Sequence, residues 1–214
     1  FTDAKHDAKR RDFTINGLFE DPIEEKVIDF VGGEEDLSSR IVRAIGDPRQ
    51  RLAEDHLRML RAVRFAACFS FSIESETADA IREHASNLSG ISRERIGGEL
   101  RRMLTHPNRG VASWEIQYLG LDIAVLGEDS ILSAPTRVGR LPASSDFATA
   151  LAAWALDRHG VEVDLQAVST NWRKQLLLSN REYTAMQEIL LLHEKLVAWE
   201  TLGIAKQKRL ASAV

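Results

Sequence analysis

The chain has 214 residues, 44% hydrophobic and 28% charged, with 28 Lys and Arg against 32 Asp and Glu for a formal charge of -4. That length and apolar content suit one or two packed domains, and the single cysteine, Cys68, excludes an internal disulfide and any multi-cysteine zinc site. Apolar runs such as 189–192 fall far short of the roughly 20 residues of a membrane span, so the expectation is a cytoplasmic protein with no membrane partner.

Net acidity argues against a protein that coats nucleic acid non-selectively, but the charge is not evenly spread. Between residues 43 and 64 six arginines (43, 49, 51, 58, 61, 64) face Asp47, Glu54 and Asp55, and between 91 and 109 five (93, 95, 101, 102, 109) face Glu94 and Glu99. Arginine, with its planar fork of donors, matches phosphates and base edges better than an ammonium does.

In chain order, residues 1–46 read as a small mixed α/β piece. Asp21-Pro22 marks a turn, and the β-branched runs 27–31 and 41–45 are separated by the breaker Gly32-Gly33. Two or three short strands do not make a stable sheet alone. From Asp47-Pro48, a capping side chain followed by proline at the first helical position, the pattern predicts one helix to about residue 69. Further helices are predicted over 76–86, 92–104 with Ser92 as cap, 108–119, 146–158, 165–178 and 179–199, and the start of another over 205–214. The Pro, Gly and Ser content between 128 and 145 predicts a connection between two helical subdomains. The fold class is therefore mainly α, with domains at 1–46, 47–128 and 129–214.

Common chemical motifs are missing: no G-x-G-x-x-G, G-x-x-x-x-G-K-[ST], G-x-S-x-G or H-E-x-x-H occurs. The informative stretch is 51–65. On one continuous helix, Arg51, Glu54, Asp55, Arg58, Arg61, Ala62 and Phe65 share a face, with Leu52, Leu60, Val63 and Ala67 opposite and His56 on the apolar side as a satisfied core or boundary histidine. One reading is a solvated face stitched by pairs such as Glu54 with Arg58, each worth about 0.2–0.5 kcal/mol. The other is base recognition. A carboxylate acceptor beside a guanidinium donor matches the exocyclic amino group and neighbouring ring nitrogen of cytosine or adenine, and has the wrong polarity for uracil or guanine.

Four segments in order carry a resemblance: Arg10-Arg11-Asp12-Phe13-Thr14-Ile15-Asn16; Asp29 with Gly32-Gly33 and Asp36-Leu37; Glu54-Asp55-His56-Leu57-Arg58-Met59-Leu60-Arg61-Ala62-Val63-Arg64-Phe65; and Ile91-Ser92-Arg93-Glu94-Arg95-Ile96 with Glu99-Leu100. They resemble successive motifs of the class II tRNA nucleotidyltransferase (CCA-adding enzyme) and bacterial poly(A) polymerase family. The resemblance implies a polymerase-like head followed by helical neck and body, and an enzyme that adds CMP or AMP from CTP and ATP to the 3′ end of tRNA or another RNA. By that resemblance Arg11 contacts ribose or phosphates, Asp55 and Arg58 template the base, and Arg61 and Arg64 make phosphate and base-side contacts. Arg10, Asp12, Asn16 and Glu54 support the site, Asp29 with Gly32-Gly33 forms the head–neck hinge, and 91–100 braces the template helix.

The family's paired D-x-D carboxylates, which hold Mg2+, have no counterpart in this sequence. A chain that opens at Phe1 and lacks them is expected to be part of a longer enzyme, binding nucleotide without catalysing transfer by itself, with no metal of its own. A poly(A) polymerase and a non-catalytic helical RNA- or protein-interaction module are the alternatives.

Overall fold

The computed structural model describes residues 3–197 and residue 208. The helix start read over 205–214 therefore lies, apart from residue 208, outside the described residues, as does the end of the helix read over 179–199. Mainly helical architecture is what the chain adopts, with two small sheets near its N-terminal end.

Helix α1 (Ala4–Arg10) is capped by the Asp3 carboxylate and is followed by a tight turn at Thr14–Asn16. An antiparallel hairpin comes next, β1 (Phe19–Asp21) on β2 (Lys26–Ile28), with Phe19 opposite Ile28. The second strand is shorter than the run 27–31 suggested, because the Asp29 carboxylate accepts from the backbone N–H groups of Val31, Gly32 and Glu34 and turns the chain into α2 (Gly33–Ser39). Gly32 takes the left-handed conformation this entry needs, at φ 82°. Strand β3 (Ile41–Val42) pairs in parallel with the distant β4 (Ser72–Ile73), and Phe13 bridges Ala44, so the piece before residue 46 is stitched to the helices that follow.

The single helix expected over 47–69 is two. Helix α3 (Pro48–Glu54) starts as predicted, with the Asp47 carboxylate accepting from Gln50 N–H, but stops at Asp55, whose backbone is extended at φ -155°. Asp55 then accepts from Leu57 N–H at 3.1 Å and restarts the chain as α4 (Leu57–Phe69). A short carboxylate that can bond the backbone two residues on offers the chain this alternative to helix, and periodicity cannot register it. Ala62 and Phe65, read as members of the charged stripe, are buried.

The remaining helices are α5 (Ser75–His84), α6 (Arg93–Leu104), α7 (Arg109–Tyr118), α8 (Asp122–Leu126), α9 (Phe147–His159), α10 (Leu165–Leu176) and α11 (Asn180–Val197). The short α1, α2 and α8 were not predicted; a helix of five to seven residues is too brief to show a periodic apolar stripe. Ser92 takes the cap position of α6 by its backbone alone, its hydroxyl making no capping bond.

One apolar cluster runs from Phe13 to Leu190, with Trp154 and Trp172 fully buried and in ring contact. The segment 128–145 is pinned along its length. Buried Arg109 donates to the carbonyls of Leu104, Leu141, Pro142 and Ala143, and buried Arg158 bonds Asp122, Glu128, Gln117 and the Ile131 carbonyl. Among the described residues, no helix is long and apolar enough to cross a membrane.

Candidate functional site

The break between α3 and α4 opens a cleft of about 580 Å³ between that junction, the N-terminal segment and the start of α6. Its walls are Arg11, Asp12, Asn16, Asp55, Leu57, Arg58, Arg61, Phe65 and Arg95, so four arginines meet two aspartates. Arginines outnumber carboxylates on the wall itself, with Asp7 and Glu54 pairing Arg11 and Arg58 from behind, and a concave, partly apolar site so lined suits an anion that carries a flat ring.

Each charged wall residue is held. Asp12 accepts from its neighbour Phe13 N–H, from Asn16 Nδ2 and, at 2.6 Å, from Arg61 Nε. Burial pushes the Asp12 carboxyl up, but the bonds from Asn16 and Arg61 outweigh it and leave it below the ordinary value. Arg11 lies 4.5 Å over the Phe19 ring, pairs with Asp7 and donates to the Asn16 carbonyl at 2.6 Å.

The Asp55 carboxylate carries Leu57 N–H on one oxygen and Arg95 Nη2 on the other, at 2.6 Å. Burial raises its pKa, and the bonds from Arg95 and Leu57 with the charges of Arg95 and Arg58 more than offset that, so the group stays ionised. Arg58 uses Nη1 to bond the Arg51 carbonyl, at 2.7 Å, and Glu54 Oε2, at 2.5 Å. Glu54 also takes Arg51, and its carboxyl is held down chiefly by Arg58. A guanidinium has five N–H donors and a carboxylate about four lone-pair sites, so Arg58 and Asp55 both keep capacity to bond a ligand.

Of the residues singled out in the sequence, the cleft gathers Arg11, Asp12, Asn16, Asp55, Arg58 and Arg61. Glu54 stands behind it, holding Arg58. Arg10 is mostly exposed and pairs with Asp7, and Asp29 shapes the entry to α2. Arg64, expected among the ligand contacts, does not line the cleft: Nε meets Glu99 at 2.6 Å and the guanidinium lies 4.2 Å over Phe65. Glu99 is 2% exposed, and its two oxygens are met by Arg64 from α4 and by Arg102 from its own helix, at 2.7 Å, which offsets the cost of burying a carboxylate. His56 is not satisfied as expected; its Nδ1 finds no hydrogen-bond partner, and its ring lies 5.8 Å from that of His84.

Arg95 is the wall residue the sequence reading missed. The signal was available: Arg95 and Glu99 are four residues apart on α6 and so share a face, and the opposing elements offer Asp55 and Arg64, opposite in sign to each. Among the described residues, no cluster of three or more His, Cys, Asp or Glu could hold a metal ion. The magnesium that the resemblance implies belongs to a paired D-x-D motif, which this sequence does not contain, and the cleft aspartates Asp12 and Asp55 each bond an arginine.

The poly A polymerase head domain matches residues 1–43, and the probable RNA and SrmB-binding site of polymerase A matches residues 70–112. The chain is 50% identical over 111 residues to a CCA-adding enzyme of Pediococcus pentosaceus, half of this chain and 27% of that protein. It is 44% identical over 108 residues to poly(A) polymerase I of Salmonella typhi, again half of this chain and 23% of that protein. The match thus spans about a quarter of the length of these curated relatives. In structure, the Bacillus stearothermophilus CCA-adding enzyme, solved in complex with CTP, superimposes with a TM-score of 0.73 at 29% identity over 89% of this chain and 47% of that one. The two matched domains, these relatives and this structure all lie on one side: over the residues matched, the chain is similar to CCA-adding enzymes and poly(A) polymerases.

Proposed function

We propose that the cleft receives an incoming nucleoside triphosphate and selects its base, and that the whole enzyme adds CMP and AMP to the 3′ end of tRNA. The observation that carries this reading is the ionised Asp55 acceptor beside the Arg58 donor on the wall of an arginine-lined cleft. Cytosine and adenine each present an amino donor next to a ring-nitrogen acceptor, the complement of that pair, whereas uracil and guanine present an acceptor next to an N–H. Arg11 and Arg61 supply charge for the triphosphate or ribose, and Phe65 offers an apolar edge.

In the proposed reaction the RNA 3′ hydroxyl attacks the α-phosphorus, forming the new O–P bond as the bond to the β,γ-phosphates breaks and pyrophosphate leaves. Magnesium would have to be held by carboxylates other than those described, so the part of these residues is to bind, orient and select. The likeness to the Salmonella typhi protein supports a second reading within the family, a poly(A) polymerase, which would use ATP alone.

The test is base selection in the full-length protein. Asp55→Ala and Arg58→Ala should each lower the preference for CTP and ATP over UTP by about tenfold or more, a bidentate base contact being worth roughly 1–3 kcal/mol. Preference unchanged in both variants refutes the template. A wild-type protein that binds all four triphosphates alike is instead a phosphate-tracking surface.

A further inference from the structure

The template aspartate does not set its own orientation. Asp55 lies in an extended junction between two helices, outside the rigid ladder of either, and rotation about its side-chain bonds would swing its acceptor away from a base. Two contacts fix it. The Leu57 N–H is local and holds one oxygen, while Arg95, forty residues along the chain, reaches from α6 to the other oxygen at 2.6 Å. Arg95 stands on the first turn of a helix that packs along α4 and is anchored there one turn later by Glu99 on Arg64. The carboxylate plane is thus referenced to a packed element rather than to its own loop.

We propose that Arg95 is a positioning residue for base selection: by bonding Asp55 it fixes the carboxylate plane, so that a remaining lone pair meets the exocyclic amino group of cytosine or adenine. This rests on the nucleotide-selecting reading of the cleft. Arg95 also lines the cleft with about half its side chain exposed, which makes a direct phosphate contact the competing role. The two roles separate cleanly. A lost phosphate contact weakens every triphosphate, and base-free inorganic triphosphate, by the same factor. Lost positioning weakens only the nucleotides whose base uses Asp55.

Full-length wild type, Arg95→Ala and Arg95→Lys are titrated with CTP, ATP, UTP, GTP and inorganic triphosphate, with thermal unfolding run alongside. In Arg95→Ala the preference for CTP and ATP over UTP should fall about tenfold, while inorganic triphosphate binds within about twofold of wild type. Arg95→Lys, which keeps one donor and the charge, should recover part of the preference. A wild-type preference that survives Arg95→Ala intact overturns the proposal and leaves the template standing. A uniform loss across all five ligands overturns it in favour of a phosphate contact or a plain structural support, the latter marked by a lowered unfolding midpoint. Absence of any preference in the wild type removes the selection reading and this proposal with it.

Discussion

Replacing Glu182 by glutamine tests the joint between α6 and the C-terminal helices. The Glu182 carboxylate takes Arg101 on both oxygens, at 2.8 and 3.0 Å, and reaches back to Ser179 N–H at 2.8 Å in a reciprocal cap of α11, with Glu182 N–H donating to the Ser179 hydroxyl. Arg101 chiefly, with Ser179, holds the carboxyl at about 2, against an ordinary value of 4.5. At about 1.4 kcal/mol per pH unit that gap sets a ceiling of about 3 kcal/mol. Both side chains are partly exposed, 24% for Glu182 and 33% for Arg101, and solvent screening brings the expected contribution to about 1–2 kcal/mol. Because the folded-state pKa is depressed, the contribution is complete above the unfolded value and is lost as pH falls toward 2; about three quarters survives at pH 4 and about two fifths at pH 3. Glu182→Gln should therefore lower the unfolding midpoint by about 2–8 °C at pH 7. The gap to wild type, followed by thermal unfolding from pH 7 to pH 3, should narrow as the acid titrates. A gap that is equally wide at pH 7 and pH 3, or none at pH 7, refutes the assignment.

Two neighbouring glycines of α6 should respond with opposite signs. A Cβ at Gly97 would sit 2.7 Å from the Leu176 carbonyl oxygen, so Gly97→Ala should destabilise by about 1–2 kcal/mol despite its better helix propensity, whereas Gly98 faces open space and Gly98→Ala should stabilise by about 0.5–1 kcal/mol; denaturant midpoints read both. Arg11→Ala should weaken CTP, ATP and UTP by similar factors, more so at low salt, in titrations at two ionic strengths; a selective loss of one base would move Arg11 into base recognition. Arg64→Ala should leave nucleotide affinities within about twofold and lower stability by about 1–3 kcal/mol, since it takes one of two arginine partners from buried Glu99 and leaves Arg102 as the other; unchanged stability with weakened nucleotide binding would restore Arg64 to the cleft.

The sequence by itself determined the long helices, because apolar periodicity and local caps such as Asp47 and Asp146 are properties of neighbouring residues. It also marked residues that come together, since Arg11, Asp12, Asn16, Asp55, Arg58 and Arg61 lie inside the motif segments and line one cleft. The tertiary structure alone decided how those segments meet. A wheel drawn through residues 51–65 assumes one axis, and the break at Asp55 replaces it with two; on the second helix Ala62 and Phe65 are buried by the elements packed against them. Arg61 and Arg64 are the same residue type three positions apart. One faces the cleft against Asp12 and the other faces Glu99, a division set by which partner element each meets and not by anything in their own neighbourhood. Arg95 joined the site for the same reason: its partner lies forty residues away, and a pairing at that range is fixed only when α6 packs on α4 and brings the two charges together.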